Sequence, residues 1–383
     1  MGRIFNLLFA IVIIFFAIRT APVFKWILFL LGLMPMTLYL CASLSKDAMI
    51  ISLSFLLIAL FLRFAYDPQN KISTKDLIIL FAVSFLLATS RSVYAILIGM
   101  FLLIPVFRIG SLKKYIIIFM CLIITVFLAT QIGTLKPLFQ PKAAVSTQTN
   151  SARALSPDAH STPTPIEKFQ RFDRNKTPEG INFNEQKRFI LDNPIQYLEI
   201  VFNSLFISQR SFQLDSFVGK LGWLNKPLPK WHINFYLLIL IITALLLYSN
   251  DIKIGFINKL ISASIFIAGV IFIETGLYLT WNPVGQNYIM DVQGRYFIPY
   301  APLFFLLLYS ASLGEYLNTI FTSQKEKPVK IKRKLLTKPD YVVQNNRQVV
   351  LSNSFHLLII CFSVTSLLST VYVVLTGYYI ILI

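Results

Sequence analysis

Long apolar runs separated by short basic loops set the first limit on what this chain can become. Crossing a hydrocarbon layer of roughly 30 Å takes about 20 residues of helix, and several runs approach or exceed that length. Inside such a layer every backbone N–H and C=O needs a partner from the protein, so only helices or a closed barrel serve. The residue-by-residue alternation of barrel strands is absent. Of the 383 residues, 56% are hydrophobic and 14% charged, which fits a surface that largely faces lipid. The chain is therefore read as an all-α polytopic membrane protein. The apolar pattern predicts ten membrane segments, at about 4–18, 26–43, 48–64, 76–90, 93–107, 114–131, 233–249, 256–280, 295–313 and 354–382. The segments at 4–18 and 93–107 are short for a span, which predicts little tilt or a partly interfacial position.

Two polar regions divide these segments. Residues 1–131 form an N-terminal set of membrane helices, and 132–232 a long extracytoplasmic loop. Residues 233–313 form a second set of helices, 314–352 a basic cytoplasmic linker, and 353–383 a last membrane helix. The loop begins with a flexible stretch rich in Ser, Thr, Ala and Pro, Lys142 to Pro165. It continues with a short polar helix, Asn184 to Asn193, and an amphipathic one, Ile195 to Ile207, suited to lie on the membrane. The net charge of +18 would suggest nucleic acid in a soluble protein. Here it falls in loops, where lysine and arginine set orientation, and no nucleic-acid partner is expected.

Placing the 314–352 linker in the cytoplasm fixes every other loop by alternation. The loops carrying Arg19 and Lys25, Arg63 and Lys75, Arg108 and Lys114, and Lys253 and Lys259 then all fall inside, as their charge requires. The turns at Asp47 and Arg91, the 132–232 region and the 281–294 loop fall outside. The first segment must then start outside, with Met1 external. That start predicts either that the first segment is not a full span or, the favoured reading, that the natural protein has an earlier helix and external loop. No secretory signal is expected at Arg3.

Four polar clusters share the external side. They are Ser43-Leu-Ser-Lys-Asp47; Ser90-Arg91-Ser-Val-Tyr94; Gly219-Lys-Leu-Gly-Trp223 through Pro229; and Trp281-Asn-Pro-Val-Gly-Gln286 through Gln293-Gly-Arg295-Tyr296. Aromatic faces with amide and carboxylate groups suit a sugar, and arginine forks suit phosphate. Gly294 allows close backbone approach before the costly Arg295. Each residue has a plain alternative. Asp47 suits either a helix N-terminus or catalysis. Arg91 and Arg295 suit either headgroup contact or a ligand phosphate. Trp223, Trp281, Tyr296 and Tyr300 suit an interfacial belt. Glu274, near the outer end of its segment, suits either a functional site or an ion pair.

Other chemistry has little support. Walker A, HExxH, GxSxG and DxD motifs are absent. Cys41, Cys121 and Cys361 read as packing residues, and His160, His232 and His356 are too scattered for a zinc site. No cofactor is evident, although carboxylate and amide groups are compatible with a divalent metal.

Taken in order, Leu33-Met-Pro35-Met, Ala42 through Asp47-Ala, Arg91…Tyr94, Asp192-Asn-Pro194…Asn203-Ser, Gly219…Trp223…Pro229 and Val292-Gln-Gly-Arg-Tyr-Phe-Ile-Pro299 resemble domain-of-unknown-function family 2142. These are bacterial multi-pass membrane proteins, and the resemblance covers nearly the whole chain. It implies a fold similar to membrane-embedded polyprenyl-phosphate glycosyltransferases, in the bacterial cytoplasmic (inner) membrane, with the polar site facing out. The partners it implies are a polyprenyl-phosphate-linked sugar, a glycan or lipid acceptor and membrane lipids. Under it, Arg91 and Arg295 hold the lipid phosphate, and Asp47 orients or deprotonates the acceptor. Trp223 and Tyr296 line the site, with Gln293 and Tyr94 in binding positions. The family has lysine where this chain has Arg91. It also begins with an additional helix and an acidic external loop, which would supply the catalytic acid. Two other functions use the same residues differently: a transporter or flippase of lipid-linked glycans, and a non-catalytic subunit of a polysaccharide export complex.

Overall fold

The computed structural model describes residues 1–67, 72–135, 180–222, 224–246, 252–310, 316 and 341–378, with backbone alone for 133–135, 341–354 and 378. The Lys142 to Pro165 stretch, Trp223 and the linker lysines from Lys325 to Lys338 lie outside them. The described residues form an α-helical membrane protein. Among the described residues, five helices are long and apolar enough to cross a membrane. They are α1 (Gly2–Thr20), α4 (Asp47–Tyr66), α7 (Leu112–Leu135), α12 (Phe256–Trp281) and α14 (Tyr341–Tyr378). Between them run α2 (Lys25–Leu33), α3 (Pro35–Cys41), α5 (Thr74–Ser90), α6 (Val106–Ile109), α11 (Lys230–Leu246) and α13 (Ala301–Leu308). Two 3₁₀ helices occupy Ser92–Leu103 and Gly294–Tyr300.

α4 is the axis. Its most apolar window is 89% buried inside the protein, against 17% for α1, α7 and α14. Those three turn most of their apolar surface outward, where lipid rather than protein would meet it. α4 packs against α1, α3, α5 and both 3₁₀ helices, so the elements at its Asp47 end are held by one rod. Asn6, in the second turn of α1, donates to the carbonyls of Ser43 and Ser45. The start of α1 therefore lies beside the Asp47 loop, and α1 and α4 begin at the same end.

Local breaks follow known backbone rules. The segment expected at 26–43 divides at Met34, because Pro35 has no N–H to continue the hydrogen-bond ladder and instead opens α3. The segment expected at 93–107 is a 3₁₀ helix over Ser92–Leu103. At about 2.0 Å rise per residue those twelve residues reach about 24 Å, against about 18 Å as α-helix. A run too short to span as α-helix thus comes close to spanning. The segment expected at 295–313 is likewise 3₁₀ first and α-helix only from Ala301, with Pro299 inside the 3₁₀ turn.

The polar helix expected at 184–193 is α8 (Phe183–Asp192), capped by the Asn182 side chain on the N–H groups of Asn184 and Glu185. The amphipathic stretch is α9 (Pro194–Asn203), continued by a π-helical turn, Ser204–Ser208. α10 (Arg210–Val218) follows, then a small antiparallel hairpin, β1 (Lys220–Leu221) and β2 (Lys226–Pro227), which the sequence pattern did not suggest. A second hydrophobic cluster of Tyr197, Ile200, Val201, Tyr278, Ile289 and Val292 seats α9 on the end of α12.

Two further expectations change. α14 begins at Tyr341, inside the stretch expected as linker to 352. It is tied to the bundle by His232 Nε2 at 2.8 Å from Ser366 Oγ and by the His356 ring stacked on Trp26. Of the cysteines, only Cys41 packs inside. Cys121 and Cys361 lie on exposed helix faces, because an apolar run carries as many lipid-facing positions as core ones.

The axis role of α4 gives a direct test. Phe61 is fully buried, whereas Phe127 on α7 is 61% exposed. Phe61→Ala should cost on the order of 3 kcal/mol by opening a cavity. Phe127→Ala should shift the thermal unfolding midpoint in the same detergent far less.

Candidate functional site

The Asp47 loop is built from three side chains in series. Ser43 Oγ lies 2.6 Å from the Leu40 carbonyl and 2.8 Å from Ser45 Oγ. Ser45 Oγ in turn donates to the Asp47 carboxylate at 3.2 Å and accepts from the Asp47 N–H at 3.3 Å. The N-cap residue of α4, Lys46, makes no side-chain cap bond. Asp47 thus stands in the first turn, where the helix dipole favours its negative charge, with its carboxylate held sideways by a serine. It is half-buried, and among the described residues it has no ion-pair partner.

Arg91 ends α5 in an extended conformation with its side chain exposed. The adjoining Ser90 Oγ lies 3.4 Å from the Met49 sulfur, which sets the Arg91 turn against the first turn of α4. Arg91, Asp47 and Tyr296 are all within electrostatic reach of the Tyr94 hydroxyl.

The Gln293–Tyr300 segment is tied to that turn by two reciprocal hydrogen bonds. The Tyr94 hydroxyl donates to the Tyr296 carbonyl at 3.0 Å, and the Tyr300 hydroxyl donates to the Val93 carbonyl at 2.7 Å. The two rings pack at 5.3 Å between centroids. Tyr300 needs the gap at Gly269 of α12, because a Cβ there would stand 2.5 Å from its ring. On the other side, Gly294 meets α10. A Cβ on Gly294 would lie 1.8 Å from the Gln213 carbonyl oxygen, and its N–H donates to Ser216 Oγ at 2.7 Å. The close approach expected of Gly294 is present, and α10 is what approaches.

This frame sets two guanidiniums on one ring. The Arg91 and Arg295 carbons lie 5.7 and 5.5 Å from the Tyr296 centroid. Cation–π contact of this kind contributes about 0.5–1 kcal/mol at partly exposed sites and does not itself use the N–H groups, although Arg91 also lies within hydrogen-bond reach of the Tyr94 hydroxyl. Neither arginine has an ion-pair partner among the described residues. Arg295 Nε and Gln293 Oε1 are buried without a hydrogen-bond partner, as is Gln213 Nε2 on α10. Leaving such groups unmade costs about 1–3 kcal/mol each, so two donors and an acceptor in one region have the character of a polar ligand's contacts.

Asp47, Arg91, Tyr94, Gln293, Arg295 and Tyr296 are therefore brought to one end of the bundle. Trp223 lies outside the described residues. Trp281 donates to Asp291 at 3.3 Å, within the loop that α12 ends on. Gln213, Ser216 and Asn6 were not singled out from sequence. The polar stripe Gln213, Asp215, Ser216 within α10 was the only signal for the first two. Glu274 is fully buried on α12, and its Oε2 accepts from Ser204 Oγ of the π-helical turn at 3.2 Å. Its Oε1 has no partner, and no lysine or arginine pairs with it among the described residues, so the ion-pair alternative is not what holds it. Among the described residues, no group of three or more His, Cys, Asp or Glu could hold a metal ion.

Gly294→Ala should cost on the order of 2–3 kcal/mol, because backbone rather than a flexible side chain must move. Gly276→Ala on α12, with open space around it, should be neutral or stabilise by about 0.5–1 kcal/mol. Thermal unfolding of the two variants side by side checks both. Glu274→Gln should keep the fold and raise the free energy of unfolding by about 1 kcal/mol, and with it the midpoint, since it removes a buried carboxyl with no cation paired to it among the described residues. A lower midpoint would show that the charge is needed.

No curated protein and no solved structure matches the chain. A family model described as a predicted membrane protein, DUF2142, matches residues 1–304. The matched stretch takes in the Asp47 loop, the Arg91 turn, α10 and the Gln293–Tyr300 segment, and it ends before α14. With its first 304 residues accounted for by that model, the chain belongs to the DUF2142 family of predicted membrane proteins.

Proposed function

We propose that the chain is a glycosyltransferase-like membrane protein that moves a sugar from a polyprenyl-phosphate carrier to a glycan or lipid acceptor, on the extracytoplasmic face of the bacterial inner membrane. The observation that carries this reading is the pair of guanidiniums on the Tyr296 ring, beside the unpartnered Arg295 Nε and Gln293 Oε1. An anion with oxygen acceptors on several sides satisfies the guanidinium donors, and a phosphate ester is such a group, while a sugar hydroxyl can donate to Gln293 Oε1. The surrounding apolar helices suit the carrier's hydrocarbon tail.

In this reading the acceptor hydroxyl attacks the anomeric carbon, and the bond from that carbon to the phosphate oxygen breaks. The carrier leaves as polyprenyl phosphate, with Arg91 and Arg295 meeting the charge that develops on it. The hydroxyl proton passes to Asp47, which Ser45 holds in one orientation. Tyr94 acts one step back, fixing the Tyr296 backbone and with it the position of Arg295.

The test is a transfer assay with the full chain in proteoliposomes and a polyprenyl-phosphate-linked hexose as donor. Arg295→Ala should lower transfer by about 10²–10³ and weaken retention of unglycosylated polyprenyl phosphate. Asp47→Asn should lower transfer by about 10²–10⁴ while leaving carrier retention unchanged. Unchanged transfer in both variants would overturn the assignment. Movement of the carrier across the bilayer without sugar transfer would favour a flippase instead.

A further inference from the structure

The end of the bundle opposite Asp47 carries a second polar cluster that the sugar-transfer reading does not use. α4 ends there at Tyr66, and Arg63 bridges to Asp76 of α5 at 3.4 Å. Asp76 also closes a capping box with Ser73, so its carboxylate is fully engaged and holds the start of α5 in place. Arg108 of α6 donates from one terminal nitrogen to the Asp67 carbonyl at the end of α4. Its Nε is buried and has no partner.

Between the start of α5 and the first turns of α7 lies a cavity of about 240 Å³. Arg108 and Lys114 line it together with Leu77, Ile109, Ile117 and Ile118. A water molecule claims about 30 Å³ of liquid volume, so the space suits a group the size of a phosphodiester rather than a single ion or water. No carboxylate lines it. Its two cations stand over apolar walls, and Ile117 is exposed on the outward face of α7. Basic pockets between membrane helices, with apolar walls beneath, match the two halves of a charged lipid.

We propose that this cavity binds the phosphate headgroup of an anionic phospholipid. Arg108 Nε and Lys114 Nζ donate to the phosphate oxygens, and an acyl chain lies along Ile117 and Ile118 of α7. The bound lipid would satisfy the one buried donor of Arg108 that the protein leaves open, and it would brace α4, α5 and α7 where they meet. The site is independent of the reading of the Asp47 end.

The experiment uses the full chain reconstituted in bilayers of phosphatidylcholine, with and without phosphatidylglycerol, and counts retained lipids by native mass spectrometry. Phosphatidylglycerol should be retained selectively over phosphatidylcholine. Lys114→Gln, at an exposed position, should weaken that retention about fivefold, the effect of one cation near an anionic headgroup. Arg108→Gln should weaken it at least as much, and Arg108→Lys should restore part of it. Lys253→Gln, a second exposed cation outside the cavity, should leave it unchanged. Equal retention of the two lipids would overturn the proposal, as would an equal loss in Lys253→Gln. Displacement of phosphatidylglycerol by inorganic phosphate would assign the cavity to a free anion instead. If Arg108→Gln fails to fold, Lys114→Gln against Lys253→Gln decides alone.

Discussion

The pair of tyrosine hydroxyls that lock the Arg91 turn to the Gln293–Tyr300 segment is the contact on which the rest of the site depends. Tyr94 and Tyr300 are each buried, and each hydroxyl finds a backbone carbonyl on the other's segment. In a low-dielectric interior such bonds cannot be exchanged for water, so breaking one leaves two groups unsatisfied. The lock joins residues about two hundred positions apart and sets both arginines on the ring of Tyr296. Gly269 and Gly294 make room for it from either side, one against the Tyr300 ring and the other against the backbone of α10. Two arginines without carboxylate partners among the described residues then stand on that frame.

The helical membrane fold was legible because lipid offers no hydrogen bonds, and the sequence must therefore declare its spans as long apolar runs. The run that became α4 was plain for that reason, as was the one that became α12. Their difference in burial was not, since both are apolar on every face and the contrast comes from which neighbours surround them. The break after α2 was not read from the sequence, which predicts one segment over 26–43, although Pro35 is its cause. Nothing local announced that Ser92–Leu103 would be 3₁₀ rather than α, because the same residue types suit either helix.

At the site, the residues that could be read were those that are costly. A charge at Asp47, Arg91 or Arg295 beside apolar runs needs a reason, and each of these now stands at the same end of the bundle. What the sequence could not supply was the partner. Gly294 pointed to a close approach but not to Gln213 and Ser216, which lie in a different polar region of the chain. Glu274 left a salt bridge open as an explanation, and a serine in a π-helical turn took its place. Arg108 looked like one more basic loop residue until the orphaned Nε and the cavity beside it gave it a separate character.

The central claim is that Arg91 and Arg295 act on one phosphate. A double-mutant cycle tests it most directly, with retention of polyprenyl phosphate measured for wild type, Arg91→Ala, Arg295→Ala and the pair. Two groups on one ligand oxygen cluster should be coupled by about 0.5–3 kcal/mol, so the double variant loses less or more than the two single losses combined. Losses that add within about 0.3–0.5 kcal/mol would place the arginines on separate ligands and contradict the account.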